Sequence, residues 1–435
     1  MNEPGACVFI VHTFPPVEGG VQQYLYGICE GMRNTDLTVV APMPDNVRGV
    51  EEFDSGQRMK ILRMQPGRSR QGVICAIAKI LKRFGDSYQA KRSGWLKGFF
   101  RMTRVLLATL RYRYYSSMTN ASLSQLTEAM KGKRIAVTHS GYILPSGVTS
   151  YILYVLFGIP YVVYTYGMEL FVWEERFFCR SLMRTILANA ARVVTISEFT
   201  KRKLLELGVD EGRIYMLYPT VNLSRLENSS EGDPDELRRR YGIEGKKVIM
   251  TIARHVERKG QDMVIRAMPR VLERHPEAVY VIGGRGMMES RLKALASELG
   301  VEENIRFVGL VSDDELSLHY RMCDIFIMAS RRIGNDVEGF GIVFLEAGYW
   351  QKPVVGGRSG GVEDAVVDGG TGILVDPQSP GQIADALIRL LDDEALAHSL
   401  GTAGRQRVLD EFTFDPGERV ERINEEILNG LHHGH

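Results

Sequence analysis

Glu338 and Glu346 stand eight positions apart in the stretch Asn335-Asp336-Val337-Glu338-Gly339-Phe340-Gly341-Ile342-Val343-Phe344-Leu345-Glu346. The apolar run Ile325-Phe326-Ile327-Met328 before it reads as a buried strand, so the two carboxylates bracket a glycine turn and the first two turns of a helix. A helix that begins behind Gly339 and Gly341 offers unpaired backbone N–H groups and a positive dipole end, which hold phosphate without a charged side chain. Glu338, ahead of the helix, reaches one end of a phosphate-bearing ligand, and Glu346 reaches another. The plain alternative is one Glu capping the helix and the other on a solvated face.

Further groups of the right kind lie where strands end. The strand 248–252 delivers Ala253-Arg254-His255-Val256-Glu257-Arg258-Lys259-Gly260, in which Arg254 supplies a fork and Lys259 a point charge, a pair suited to a diphosphate. A solvated loop is the competing reading for either charge. Ile282-Gly283-Gly284-Arg285-Gly286 resembles a dinucleotide fingerprint loosely, with Glu289 in the place of its last glycine. Gly356-Gly357-Arg358-Ser359-Gly360-Gly361 is either a second glycine border of the ligand or a tight turn. Near the start, Cys7-Val8-Phe9-Ile10-Val11 runs into Gly19-Gly20, where the backbone can approach a phosphate or sugar closely, or simply turn. His139, Tyr166 and Glu169 fall at the carboxyl ends of further strands, where open α/β sheets place their sites. For His139 a satisfied structural histidine is the alternative, and for Glu169 a helix cap.

These residues need elements to carry them, and the chain supplies two successive strand–helix series. Strands over 7–11, 37–41, 59–63, 134–138, 161–165, 192–196 and 214–217 make the first, with Ser197 capping the helix that follows the sixth. After the polar segment 228–234 the pattern restarts with strands at 247–252, 279–282, 305–308 and 325–328, alternating with helices. Two doubly wound α/β domains follow, over 1–225 and 226–411. A chain of 435 residues is long enough for two such cores.

Composition narrows the class. A formal net charge of +1 with 25% charged residues gives no global reason to expect nucleic acid. Five cysteines at 7, 29, 75, 179 and 323 form no close pair, which points to a reducing compartment and no structural metal site. The first eleven residues lack a basic leader and a cleavage-like site, so no secretory signal is expected. The greasy run 151–166 is broken by Gly158-Ile159-Pro160 and is too short to span a bilayer. Between 79 and 113, ten Lys or Arg residues face the single acid Asp86 among large apolar residues, which describes either an interfacial helix on anionic lipid or surface helices with a solvated basic side.

Together these residues resemble the retaining glycosyltransferases of family 4. The resemblance rests on Gly19-Gly20, Val194-Thr195-Ile196-Ser197-Glu198-Phe199, Arg254 with Lys259-Gly260, Gly283-Gly284-Arg285-Gly286, and above all Glu338-Gly339-Phe340-Gly341 with Glu346. Within the family, Asp336 to Gly341 and Glu257 to Asp262 look most like bacterial GDP-mannose-dependent mannosyltransferases acting on phosphatidylinositol mannosides or related lipid-linked glycans.

The resemblance implies two facing Rossmann-like domains (the GT-B fold), a helix over 412–428 crossing back to the first, and a nucleotide-sugar donor with no cofactor or metal. By position it implies Arg254 and Lys259 on the diphosphate, Glu346 on the ribose hydroxyls, and Glu338 with the backbone of Gly339, Phe340, Gly341 and Ile342 on the donor sugar. Gly284 would border the donor, and Gly19 and Gly20 would approach the diphosphate and acceptor from the other domain; His139, from its place at a strand's carboxyl end, is expected on the acceptor side. With the basic and apolar residues of 79–113 as the contact, the expectation is a cytoplasmic protein peripherally associated with the inner face of the plasma membrane. The departure is at Tyr166, where the family commonly has a histidine near the donor sugar. A phenol hydrogen-bonds a sugar hydroxyl but is a poor base near neutral pH, so Tyr166 and Glu169 are expected to position the sugar. The rival readings are a UDP-sugar donor, a sugar-nucleotide epimerase or hydrolase of the same fold, and a non-catalytic relative.

Overall fold

The structure, a computed structural model, describes residues 5–17, 19–45, 47–65, 113–129, 133–228 and 232–433. The basic segment 79–113, except for its last residue, lies outside them. The chain forms two compact units. One comprises Met1–Thr195, Lys201–Leu217 and Asp415–His435, the other Ile196–Thr200 and Tyr218–Phe414. After the short stretch Ile196–Thr200, the chain passes into the second unit at Tyr218, ahead of the polar segment 228–234, and returns to the first at Asp415. Val221 is buried and its N–H bonds to the carbonyl of Phe412 at 2.9 Å.

The first unit is built on seven parallel strands: β1 (Ala6–Ile10), β2 (Leu37–Pro42), β3 (Lys60–Met64), β4 (Ile135–Ser140), β5 (Tyr161–Thr165), β6 (Arg192–Thr195) and β7 (Ile214–Met216), in the order β3-β2-β1-β4-β5-β6-β7. β1 and β5 are buried at every position, as continuous apolar runs in a sheet covered on both faces are. The direction of winding reverses between β1 and β4, which leaves a crevice at their carboxyl ends. The core gathers Tyr151, Tyr161 and Ile186 from the helices and β5, and the Tyr161 phenol donates to the Ile186 carbonyl at 2.6 Å.

The C-terminal helix Pro416–His433 belongs to this unit. Its Glu421 accepts hydrogen bonds from the Asn34 backbone at 2.7 Å, the Asn34 amide at 3.0 Å and the Thr35 hydroxyl at 2.8 Å. Gly31 and Gly417 meet backbone to backbone, and a Cβ on Gly417 would run into the Gly31 carbonyl carbon.

The second unit has six parallel strands: β8 (Lys247–Ile252), β9 (Ala278–Gly283), β10 (Ile305–Gly309), β11 (Ile325–Met328), β12 (Val354–Gly357) and β13 (Gly372–Val375), in the order β10-β9-β8-β11-β12-β13. Its winding reverses between β8 and β11. The helix Gln261–Arg274 buries Val264, Ile265, Met268 and Val271, three and four positions apart, and packs on the helix Pro380–Asp392. Pro380 at the first turn and the Ser379 hydroxyl, which accepts from the Gln382 N–H at 3.2 Å, fix where that second helix begins. Both units are thus doubly wound α/β sheets. Among the described residues no helix is long and apolar enough to cross a membrane.

Candidate active site

In the second unit the carboxyl ends of β8 and β11 bring the candidate groups together. β8 releases Ala253, and the chain then makes a short 3-10 turn, Glu257–Lys259, that ends at Gly260 with φ +74. A Cβ on Gly260 would strike the carbonyl oxygen of Ala329, just past β11, so the glycine lets one strand exit lie directly against the other. The turn points Arg258 and Lys259 at Glu338. The Lys259 ammonium donates to Glu338 Oε2 at 2.6 Å, Arg258 bonds the same oxygen through Nη1, and Arg258 Nε lies 2.8 Å from Asp336. The Ser330 hydroxyl approaches the same oxygen at 3.4 Å. Glu338 Oε1 accepts no hydrogen bond from the described residues, so one oxygen is anchored and the other is left for a ligand.

The electrostatics follow from that arrangement. Burial by itself would raise the Glu338 carboxyl, but the Lys259 and Arg258 cations overcome it and bring the group down to about 2. Burial and the neighbouring charges of Arg258 and Arg254 pull the Lys259 ammonium down, against the pull of Glu338. Arg254 itself is exposed, and its guanidinium has no carboxylate partner among the described residues. The loop therefore presents a cation and an anchored carboxylate side by side.

Glu338 leads into the helix Ile342–Tyr349. Gly341 precedes it with φ +99, and a Cβ there would sit 2.8 Å from the Phe344 ring. No side chain caps this helix and no acidic residue occupies its first turn; the Phe344 N–H turns back to the Gly341 carbonyl at 3.0 Å, which leaves the N–H groups of Ile342 and Val343 for a ligand. The Glu338 carbonyl accepts from the Gly361 N–H at 2.9 Å, and Gly360 and Gly361 are glycines because a Cβ on either would meet the Glu338 or Gly339 carbonyl. The second glycine turn thus supports the first. Phe340 is buried against Tyr218 and Phe412, at ring separations of 5.7 and 5.8 Å, which leaves its backbone for binding. Gly284 has φ +121 and lies against the Ala253 carbonyl, so it holds the Arg254 loop in place.

Glu346 is 7% exposed, and both of its oxygens are engaged: Oε1 by Arg225 at 3.1 Å and Oε2 by the Tyr320 phenol at 2.7 Å. Neither partner follows from the sequence, since Arg225 and Tyr320 lie far from Glu346 along the chain and belong to no glycine turn. Arg258 is likewise absent from the sequence-based set, although its place beside Lys259 in a loop of three residues was a signal for it.

In the first unit, Gly19 and Gly20 open the helix Gly20–Gly31, which has no side-chain cap and no acid in its first turn. Gly19 adopts φ 152 and ψ 155, a glycine conformation, and a Cβ on Gly20 would meet nothing within 4 Å. Three expectations are corrected here. His139 lies inside β4, fully buried, stacked on Phe9, with Nδ1 3.0 Å from the Tyr164 phenol and Nε2 2.9 Å from Asn424 Oδ1. It is a satisfied core histidine and does not face an acceptor. Tyr166 is buried and its phenol donates to the Gly141 carbonyl at 2.7 Å, so its proton is committed to the backbone. Burial pushes that phenol well above its ordinary range. Glu169 accepts from the Tyr166 N–H at 2.6 Å, just ahead of the helix Met168–Glu174, so its carboxylate is spent on the local backbone; burial raises its carboxyl.

Two doubly wound sheets, one carrying a cationic loop, an anchored carboxylate and an open helix N-terminus, define a glycosyltransferase of the GT-B class. The chain belongs to glycosyltransferase family 4. Residues 18–225 match the model for Glycosyltransferase Family 4, and residues 233–407 match that for Glycosyl transferases group 1. A GDP-mannose-dependent alpha-(1-6)-phosphatidylinositol monomannoside mannosyltransferase of Mycolicibacterium smegmatis is 32% identical over 418 residues, 93% of this chain and 94% of its own. A GDP-mannose-dependent monoacylated alpha-(1-6)-phosphatidylinositol monomannoside mannosyltransferase of Corynebacterium glutamicum is 33% identical over 60% of this chain and 68% of its own. Among solved structures, Anabaena HepE in complex with UDP aligns over 98% of this chain and 99% of its own, with a TM-score of 0.71 and 16% identity, a likeness of fold.

Proposed function

We propose that the protein transfers mannose from GDP-mannose, with retention of configuration, to a phosphatidylinositol mannoside or related lipid-linked glycan at the membrane surface. The observation that carries the catalytic part is the half-anchored Glu338: Arg258 and Lys259 fix Oε2 and keep the group ionised, and Oε1 is left to accept from a donor-sugar hydroxyl. Support for the donor and acceptor comes from the Mycolicibacterium relative, which matches nearly the whole chain.

In this reading Arg254 and Lys259 take the diphosphate oxygens, and the helix that starts at Ile342 adds its N–H groups. These fixed charges stabilise the leaving diphosphate as the bond from the sugar's anomeric carbon breaks, a role that needs no cofactor. The leaving phosphate oxygen takes the acceptor hydroxyl's proton on the face where the new bond forms. Glu346 accepts from the ribose hydroxyls. Gly19 and Gly20 give backbone access on the first unit. Peripheral attachment to an anionic inner membrane surface, with 79–113 as contact, belongs to the same proposal.

The test is turnover of GDP-mannose, UDP-glucose and UDP-N-acetylglucosamine by purified protein, with phosphatidylinositol monomannoside in vesicles as acceptor. Transfer from GDP-mannose that Glu338→Gln loses is the expected result. Turnover of a UDP-sugar instead would refute the mannosyl assignment and leave the site reading in place.

A further inference from the structure

Glu346 is held by more than its own helix. Its Oε2 accepts from Tyr320, a fully buried phenol on the helix Asp313–Met322 whose ring packs on Phe326 of β11 at 5.7 Å. Its Oε1 accepts from Arg225 on the helix Leu223–Asn228, and Arg225 is itself gripped through Nε and Nη2 by Asp313, at 3.0 and 2.7 Å. Three elements therefore converge on a carboxylate that is 7% exposed.

We propose that Tyr320 and Arg225 are positioning residues for nucleotide recognition, clamping the far side of Glu346 so that its remaining lone pairs face the two ribose hydroxyls of the donor. This rests on the reading of Glu346 as the ribose acceptor. Each carboxylate oxygen has two acceptor sites. The clamp uses one on each oxygen and leaves one on each, and a cis-diol brings two O–H donors to match them. The carboxylate then pays no reorganisation on binding, since its rotamer is fixed and its charge is compensated by Arg225 before the nucleotide arrives. A structural ion pair would show the same contacts, but it would be indifferent to what the ribose carries.

That difference gives the experiment: calorimetric binding of GDP and UDP, each beside its 2′,3′-dideoxy analogue, to wild type, Tyr320→Phe, Arg225→Met, Arg225→Lys and Glu346→Gln. Tyr320→Phe should weaken the ribonucleotide about tenfold, the usual scale for a hydrogen bond to a charged group. It should leave the dideoxy analogue unchanged. Arg225→Met should do the same, and Arg225→Lys should recover most of the loss. Equal weakening of both ligands, or no weakening of either, overturns the clamp. If Glu346→Gln does not separate ribonucleotide from dideoxy analogue, the ribose reading itself falls, a result distinct from failure of the clamp alone.

Discussion

At the scale of single residues, the position of Glu338 sets its chemistry. A buried carboxylate is costly without partners, and here two cations on one oxygen more than repay the desolvation. The folded-state carboxyl titrates near 2, below its ordinary 4.5, so the unfolded chain takes up this proton first. The stability it contributes is complete above about pH 4.5 and is lost as pH falls towards 2. The difference in unfolding free energy between wild type and Glu338→Gln should therefore shrink across that interval in urea titrations; a gap that stays constant with pH would show that the ion pairs do not hold the carboxylate down. Tyr166 leads to a different expectation. Its phenol is spent on the Gly141 carbonyl, so Tyr166→Phe should lower stability by about 1 kcal/mol and leave the turnover number nearly unchanged. A large drop in kcat at full folding would return the phenol to the chemistry.

At the scale of elements, the glycines decide how closely loops approach. Gly260, Gly284, Gly341, Gly360 and Gly361 each stand where a Cβ would meet a neighbouring carbonyl or ring, and together they stack four loops at the ends of β8, β9, β11 and β12. Gly341→Ala combines φ +99 with a Cβ 2.8 Å from Phe344. It should cost about 2 kcal/mol or more and displace the helix start, so donor affinity should fall along with the thermal midpoint. An unchanged affinity would mean the helix N-terminus takes no part in binding.

These elements were also what the sequence showed most clearly. Apolar runs such as Ile325 to Met328 are buried strands whatever surrounds them, and Glu338 and Lys259 could be picked out because they adjoin glycine turns after such runs. Arg225 and Tyr320 could not, because their place beside Glu346 is created by tertiary packing between segments more than twenty residues apart. His139 misled for the same reason. A polar residue near a strand's carboxyl end looks like a site residue, and it is the tertiary partners, Phe9, Tyr164 and, from the far end of the chain, Asn424, that show it to be part of the core.

At the scale of the whole molecule, each unit has its own sheet and core, yet the chain does not divide at one point. The last helix, Pro416–His433, completes the first unit, with Val420 and Ile423 fully buried and Glu421 satisfying three donors around Asn34 and Thr35. Ending the chain after Phe414 would strip the Gly20–Gly31 helix of the surface it packs on and leave His139 without Asn424. The second unit ends at Phe414 and would lose none of its own contacts. Two unfolding transitions are then expected for the intact protein, and they should respond separately. GDP should raise the transition of the second unit, by about 2.7 kcal/mol at a hundredfold excess over Kd. Glu421→Ala should lower that of the first by about 2–4 kcal/mol, since a buried carboxylate and three donors lose one another. Calorimetry of Glu421→Ala with and without GDP reads both effects at once. A GDP-dependent rise of undiminished size beside a lowered first transition supports this assignment of the helix. A fall in both transitions, or loss of the GDP response, would mean that the C-terminal helix is as necessary to the nucleotide-binding unit as to the unit it packs on.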